Sequence, residues 1–117
     1  MGYQGMHPSV AVFFEPESGC GQKVGIAING GSVDGCAAGV PPPFNLYGSP
    51  VTVWVDYDAS STTLQVFLAQ DTNKPAAPLL SQNVNIRSIV GPAAFVGFTA
   101  ATGGAFMNHD LRNWSYN

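Results

Sequence analysis

The sequence predicts an all-β domain, an antiparallel sandwich or barrel, on three observations. Glycine and proline, 14 and 9 of the 117 residues, punctuate the chain throughout. Between these breaks lie short runs rich in Val, Ile, Phe, Thr and Tyr in which apolar and polar positions alternate, the period of a strand with one buried face. No segment holds helical spacing for a useful length, so closely spaced short strands remain as the building units.

In order, the predicted strands are Val10 to Glu15, Lys23 to Asn29, Val51 to Tyr57, Thr63 to Ala69, roughly Leu79 to Ile86, Ala94 to Thr99, and Asp110 to Tyr116. The third is the best patterned: Val51, Val53, Val55 and Tyr57 share one face, while Thr52, Asp56 and Asp58 share the other with Trp54. Asp58-Ala59-Ser60-Ser61 then supplies turn chemistry, because Asp and Ser side chains bond nearby backbone amides, and Leu64, Val66 and Leu68 restore the core face on a returning strand. These two strands are expected to form an antiparallel hairpin. Val33 to Pro50, with its proline triplet, and Gln70 to Pro78 read as loops rather than domain linkers.

A chain of 117 residues suits one domain. Only 9% of residues are charged while 45% are hydrophobic, so some apolar surface is expected to meet a partner. The net charge of -3 and the scattered basic residues Lys23, Lys74, Arg87 and Arg112 give no footprint for a phosphate backbone, which argues against nucleic acid. No apolar run approaches the ~20 residues of a membrane span, and the first residues lack the pattern of an export signal. Neither membrane insertion nor a signal peptide is expected of this chain. The two cysteines, Cys20 and Cys36, allow one intramolecular disulfide. A fold-back at Asn29-Gly30-Gly31 would bring them together, whereas a straight strand would hold them beyond bridging distance, so a bridge and two free thiols both remain open.

Several segments in order resemble the legume-type (L-type) lectin family, especially its bacterial branch and its carboxy-terminal half. They are Gly2-Tyr3-Gln4-Gly5-Met6 before Ser9-Val10-Ala11-Val12, Val24-Gly25-Ile26-Ala27-Ile28-Asn29, Trp54-Val55-Asp56-Tyr57-Asp58, and Pro78-Leu79-Leu80. Phe95-Val96-Gly97-Phe98-Thr99-Ala100-Ala101-Thr102-Gly103 and Leu111-Arg112-Asn113-Trp114-Ser115-Tyr116 complete the series. The resemblance implies a concanavalin-like jelly-roll sandwich, an extracytoplasmic ancestry and saccharide recognition. The family's amino-terminal half, with its sugar-binding Asp and a Gly-rich contact, has no counterpart here. The sandwich is therefore expected to be truncated and completed by homodimerisation, through edge-to-edge pairing or segment exchange, with a compact rearranged monomer as the alternative.

In metal-dependent members the strand matching Val10 to Glu15 carries two carboxylates, followed by an Asn, an Asp and a His that help to hold calcium and a transition metal. Here Phe13 takes the place of the first carboxylate, Glu15 stands at the second, and Lys23 stands where the His would be. Phenylalanine removes an oxygen ligand and a lysine ammonium has no lone pair to give. The paired-metal site is expected to be lost, leaving Glu15 and Glu17 as weak candidates for residual calcium or as solvated acids.

The segment Ala100 to His109 matches the family's last sugar-binding loop. Its candidate carbohydrate-binding residues are Gly103 and Gly104, where a ligand could approach the backbone, Phe106 for stacking on a sugar face, and Asn108 and His109 for hydroxyl groups. A plain inter-strand loop with Phe106 turned inward is the competing reading. Trp54 and Trp114 favour core packing over a stacking platform. Asp56 and Asp58 share a strand face, but glycosidase chemistry needs a cleft between two placed carboxyls, so turn capping and surface exposure fit better. His7 and His109 lie near strand ends without a nucleophile elbow, so no catalytic residue is assigned and no enzyme is expected. Two functions remain: a carbohydrate-binding lectin-like protein with a degenerate metal site, and a non-catalytic interaction module that uses the sandwich for homo-oligomerisation.

Overall fold

Apolar residues two apart along each strand give every sheet one face to bury, and the architecture follows from how those faces meet. A computed structural model of the chain describes residues 1–16, 18–31, 38–104 and 106–117. It contains β1 (Val10–Glu15), β2 (Lys23–Ile28), β3 (Thr52–Asp58), β4 (Thr63–Ala69), β5 (Leu80–Asn83) and a single-turn helix α1 (Ile86–Val90). The strands form a two-stranded antiparallel sheet, β1-β2, and a three-stranded antiparallel sheet, β3-β4-β5. The expected all-β antiparallel sandwich is what the chain adopts, in truncated form.

The β1-β2 register places Phe14 opposite Val24 and Val12 opposite Ile26 on one face, with Phe13 opposite Gly25 and Ala11 opposite Ala27 on the other. Both faces are used. Val24, Val66 and Leu68 form the core between the two sheets, with Val12, Phe14, Leu79 and Leu80 packed against it. Phe44 and Leu46, in the irregular stretch expected as a loop, also pack there and help to cover the core. Val24 and Val40 exchange backbone hydrogen bonds of 2.9 and 2.8 Å. The Gln22 amide secures the same stretch, donating to Asn45 Oδ1 at 2.8 Å and accepting from the Leu46 N–H at 2.9 Å.

On the opposite face of the small sheet, Phe13 packs with Tyr3 and Ala27. The Tyr3 and Phe13 rings stack with centroids 6.4 Å apart. Asn29 and Gly30 turn the chain at the end of β2, both with positive φ, and their backbone and side-chain groups bond Ser9, which returns the amino-terminal turn across the sheet. Of the two alternatives left open for this segment, the chain takes the turn at Asn29-Gly30. Cys20 is disulfide-bonded, which removes the free-thiol alternative for that residue, while Cys36 lies outside the described residues.

The predicted hairpin forms, with Asp58 opposite Thr63 and Trp54 opposite Phe67. Three of the expected strands differ by more than a residue at the ends. The strand expected from Leu79 to Ile86 stops at Asn83, because Asn85 accepts from the Ser88 N–H at 3.0 Å and opens α1, a helix cap the sequence reading passed over. More consequentially, the strands expected at residues 94–99 and 110–116 are absent: among the described residues no strand follows Asn83. Their alternating pattern is intact, but a strand needs a neighbouring edge to satisfy its backbone, and neither segment is laid along one. Phe98 and Trp114 still meet edge-to-face at 5.4 Å, so the two segments run together as an unladdered arm.

Gly25 shows how closely the small sheet is packed. A β-carbon there would come within 2.5 Å of Phe13 Cζ and 2.9 Å of the Gly39 Cα. Gly25→Ala is expected to lower stability by about 1–3 kcal/mol, the cost of overpacking a filled site. Urea denaturation checks it, and an unchanged midpoint would mean that Phe13 swings away freely.

Candidate functional site

The segment expected to touch a ligand, residues 100–109, joins the two unladdered stretches and lies on the surface. Gly103 and Gly104 are exposed, and a β-carbon at either would meet nothing within 4 Å. Close approach by the protein itself does not account for these glycines. Phe106 is 92% exposed, which overturns the inward-packed alternative. Asn108 and His109 are exposed beside it. The five candidates thus share one open segment that presents an aromatic ring with amide and imidazole groups, the kinds of group that recognise a saccharide by stacking and hydroxyl hydrogen bonds.

The metal-ligand position is built differently. Phe13 is 3% exposed, held between Tyr3 and Gly25, so the place of a carboxylate is filled by a buried ring. Glu15 lies directly across the ladder from Lys23, a pairing of opposite charges rather than a set of oxygen donors. Glu17 falls outside the described residues. Among the described residues no group of three or more His, Cys, Asp or Glu side chains converges as a metal site. These residues do not fit the calcium and transition-metal pair of metal-dependent lectins.

The remaining candidates have structural work. Trp54 is half-buried on the outward face of β3, opposite Phe67. Trp114 is 56% exposed, against the expectation of core packing, because the strand that would have buried it does not form. Asp56 pairs with Lys74, whose ammonium also lies 4.4 Å from the centre of the Phe67 ring. Asp58 caps the hairpin tip: its Oδ1 accepts from the Ser60 N–H at 2.9 Å and the Ser60 hydroxyl at 2.6 Å. His7 is exposed in the amino-terminal turn. Among the described residues no helix is long and apolar enough to cross a membrane.

Hydrogen bonds from the Ser60 side chain and backbone, with a contribution from Ser61, hold the Asp58 carboxyl below its ordinary value of 3.8. A depressed carboxyl supports the turn at pH above the ordinary value and loses that support as pH falls through the folded-state value. The side-chain carbon of Asp58 is expected to titrate below 3.8 by NMR, with the Ser60 amide following the same midpoint. Independent titration of the two would detach the pKa shift from the turn.

With this geometry in place, comparison with known proteins becomes specific. The chain matches the model of the legume lectin domain over residues 10–117. It is 44% identical over 71 residues to the protein named "Probable inactive L-type lectin-domain containing receptor kinase III.1" from Arabidopsis thaliana, covering 60% of this chain and 11% of that protein. It is 37% identical over 106 residues to L-type lectin-domain containing receptor kinase SIT2 from Oryza sativa subsp. japonica, covering 82% and 16%. L-type lectin-domain containing receptor kinase I.3 of Arabidopsis thaliana is 42% identical over 72 residues, covering 61% and 10%. The chain therefore spans between 10% and 16% of the length of these relatives. They are plant receptor kinases, so the expected affinity with a bacterial branch finds no support among them.

Proposed function

Because the chain belongs to the legume lectin domain family, matched over residues 10–117, we propose that it is a carbohydrate-binding module whose saccharide contact lies in residues 100–109 and whose binding needs no metal ion. One observation carries this reading: Phe106, 92% exposed at the surface of a glycine-containing segment, stands beside exposed Asn108 and His109. An aromatic ring left in water loses free energy of burial that a sugar's apolar face would recover, and the neighbouring polar groups match the hydroxyls around that face. Metal independence follows from the buried Phe13, which closes the ligand position with hydrocarbon. No catalytic step is assigned to this chain, and the kinase named in its relatives belongs to those proteins.

A second reading is favoured by a different observation. Val53, Val55 and Tyr57 face the same side of their sheet as buried Leu64, Val66 and Leu68, yet are 36%, 48% and 36% exposed. An inner face that continues past its own cover fits a module that self-associates as a homodimer.

A glycan array probed with and without a chelator separates the readings. The first expects saturable binding, unchanged by chelator and weakened roughly tenfold or more by Phe106→Ala, as befits loss of a stacking contact of about 1.5 kcal/mol. An array without signal would sink it and leave self-association as the function. Binding abolished by the chelator would instead restore a metal to the site.

A further inference from the structure

We infer that two copies of this chain exchange their carboxy-terminal arms, residues 94–116 of one copy completing the open strand edges β1 and β3 of the other. The inference rests on the self-association reading and names the surface that carries it.

Three observations converge on a second copy as the occupant. The first is area. The chain exposes 7769 Å², whereas a folded monomer of 12.2 kDa exposes about 6,100 Å². The excess of about 1,700 Å² is roughly twice the ~800 Å² that each partner contributes to a standard interface. Self-association therefore has the surface it requires without any rearrangement of the core.

The second observation is where the excess lies. From residue 92 to 117 every described residue except Met107 is exposed, including Phe95 at 106%, Phe98 at 60%, Trp114 at 56% and Tyr116 at 73%. Facing this arm across a broad open cleft are β1 and β3, each hydrogen-bonded to one neighbouring strand only among the described residues. Neither strand carries the lysine or proline that commonly blunts a free edge. The exposed Val53, Val55 and Tyr57 border the same cleft.

The third is fit. The arm retains two strand-patterned stretches, residues 94–99 and 110–116, whose lengths equal those of β1, 6 residues, and β3, 7 residues. Phe98 and Trp114 already hold the stretches side by side at 5.4 Å. Added to the edges of a partner, each stretch gains a full ladder and places its apolar face over the uncovered core. Reciprocal exchange closes as a two-fold dimer, leaving none of these four edges open.

Light scattering after size exclusion, combined with isotope-filtered NOE spectra of a mixture of labelled and unlabelled wild-type chain, tests the inference. The expected result is a dimeric mass at micromolar concentration, with intermolecular NOEs from the Phe98 and Trp114 rings of one copy to the Val53 and Val55 methyls of the other. Trp114→Ala should weaken the dimer roughly 30-fold or more, as removal of a central aromatic anchor does. A monomeric mass would overturn both self-association and exchange. A dimer whose arm rings give only intramolecular NOEs, or none to Val53 and Val55, would overturn the exchange while self-association stands. Whether the chain binds a sugar at all is read separately, by the glycan array.

Discussion

The contact on which the rest of the structure depends is the meeting of β2 and β4 through Val24 and Val66, both fully buried. Neither sheet is stable as a separate layer, since two or three short strands bury too little when one face stays in water. Packed together, the sheets hide Leu68 between them and draw in Phe14, Leu46 and Leu80 from strands and connections alike. The order of the connecting segments follows from this one interface. Gln22 fixes Asn45 and Leu46 because it leads directly into β2, and the bridge between Val24 and Val40 exists because the same β-strand anchors the core.

The interface is off-centre. It covers Val66 and Leu68 on β4 but stops short of β3, one strand further out, while Phe67 is buried on the other face of β4, beside Lys74. Apolar side chains on β3 thus point toward the side of the core without reaching its cover. On the other sheet the burden shifts differently, because Phe13 and Tyr3 build a second, smaller cluster on the far face of β1. The small sheet packs hydrocarbon on both faces while β3 of the larger sheet lies partly uncovered. That asymmetry accounts for the exposed Val53, Val55 and Tyr57, which add to the hydrocarbon exposed along residues 92–117.

Legibility of the fold in the sequence followed the same division. The strands Val10 to Glu15 and Thr63 to Ala69 begin and end where the alternation of their residues places them, and the Asp58-Ala59-Ser60-Ser61 turn forms because Asp58 bonds its own neighbours. Local chemistry was sufficient in those places. Residues 94–99 and 110–116 have equally good alternation, yet ladder formation is decided by an edge elsewhere in space, which periodicity does not report. The turn of α1 is hidden for the opposite reason: Asn85 and Ser88 carry a cap signal, but five residues are too few to make a helical period. For the candidate site, replacement of a carboxylate by Phe13 was readable directly, because it concerns residue chemistry. Exposure of Phe106 and Trp114 was not, because it depends on whether the arm finds a neighbour.

The site and the arm are coupled by chain connectivity. Residues 100–109 are the link between the two strand-patterned stretches, so whatever orders those stretches also fixes the ends of the link. A loop free at both ends must surrender backbone and side-chain freedom when it grips a ligand, at a cost of roughly 1–2 kcal/mol for each residue immobilised. A bound ion could supply part of that order in advance, but under the proposed metal-independent reading the buried ring of Phe13 offers it no ligand. Pairing of residues 94–99 and 110–116 with a second copy would restrain the same link by β-ladders. Saccharide affinity and self-association would then be thermodynamically linked, each ligand-bound segment favouring the paired arm and each paired arm favouring the ligand by the same factor. On that proposal the buried ring of Phe13 and the open edges of β1 and β3 bear on the same loop, one by denying it an ion and the other by offering it a ladder.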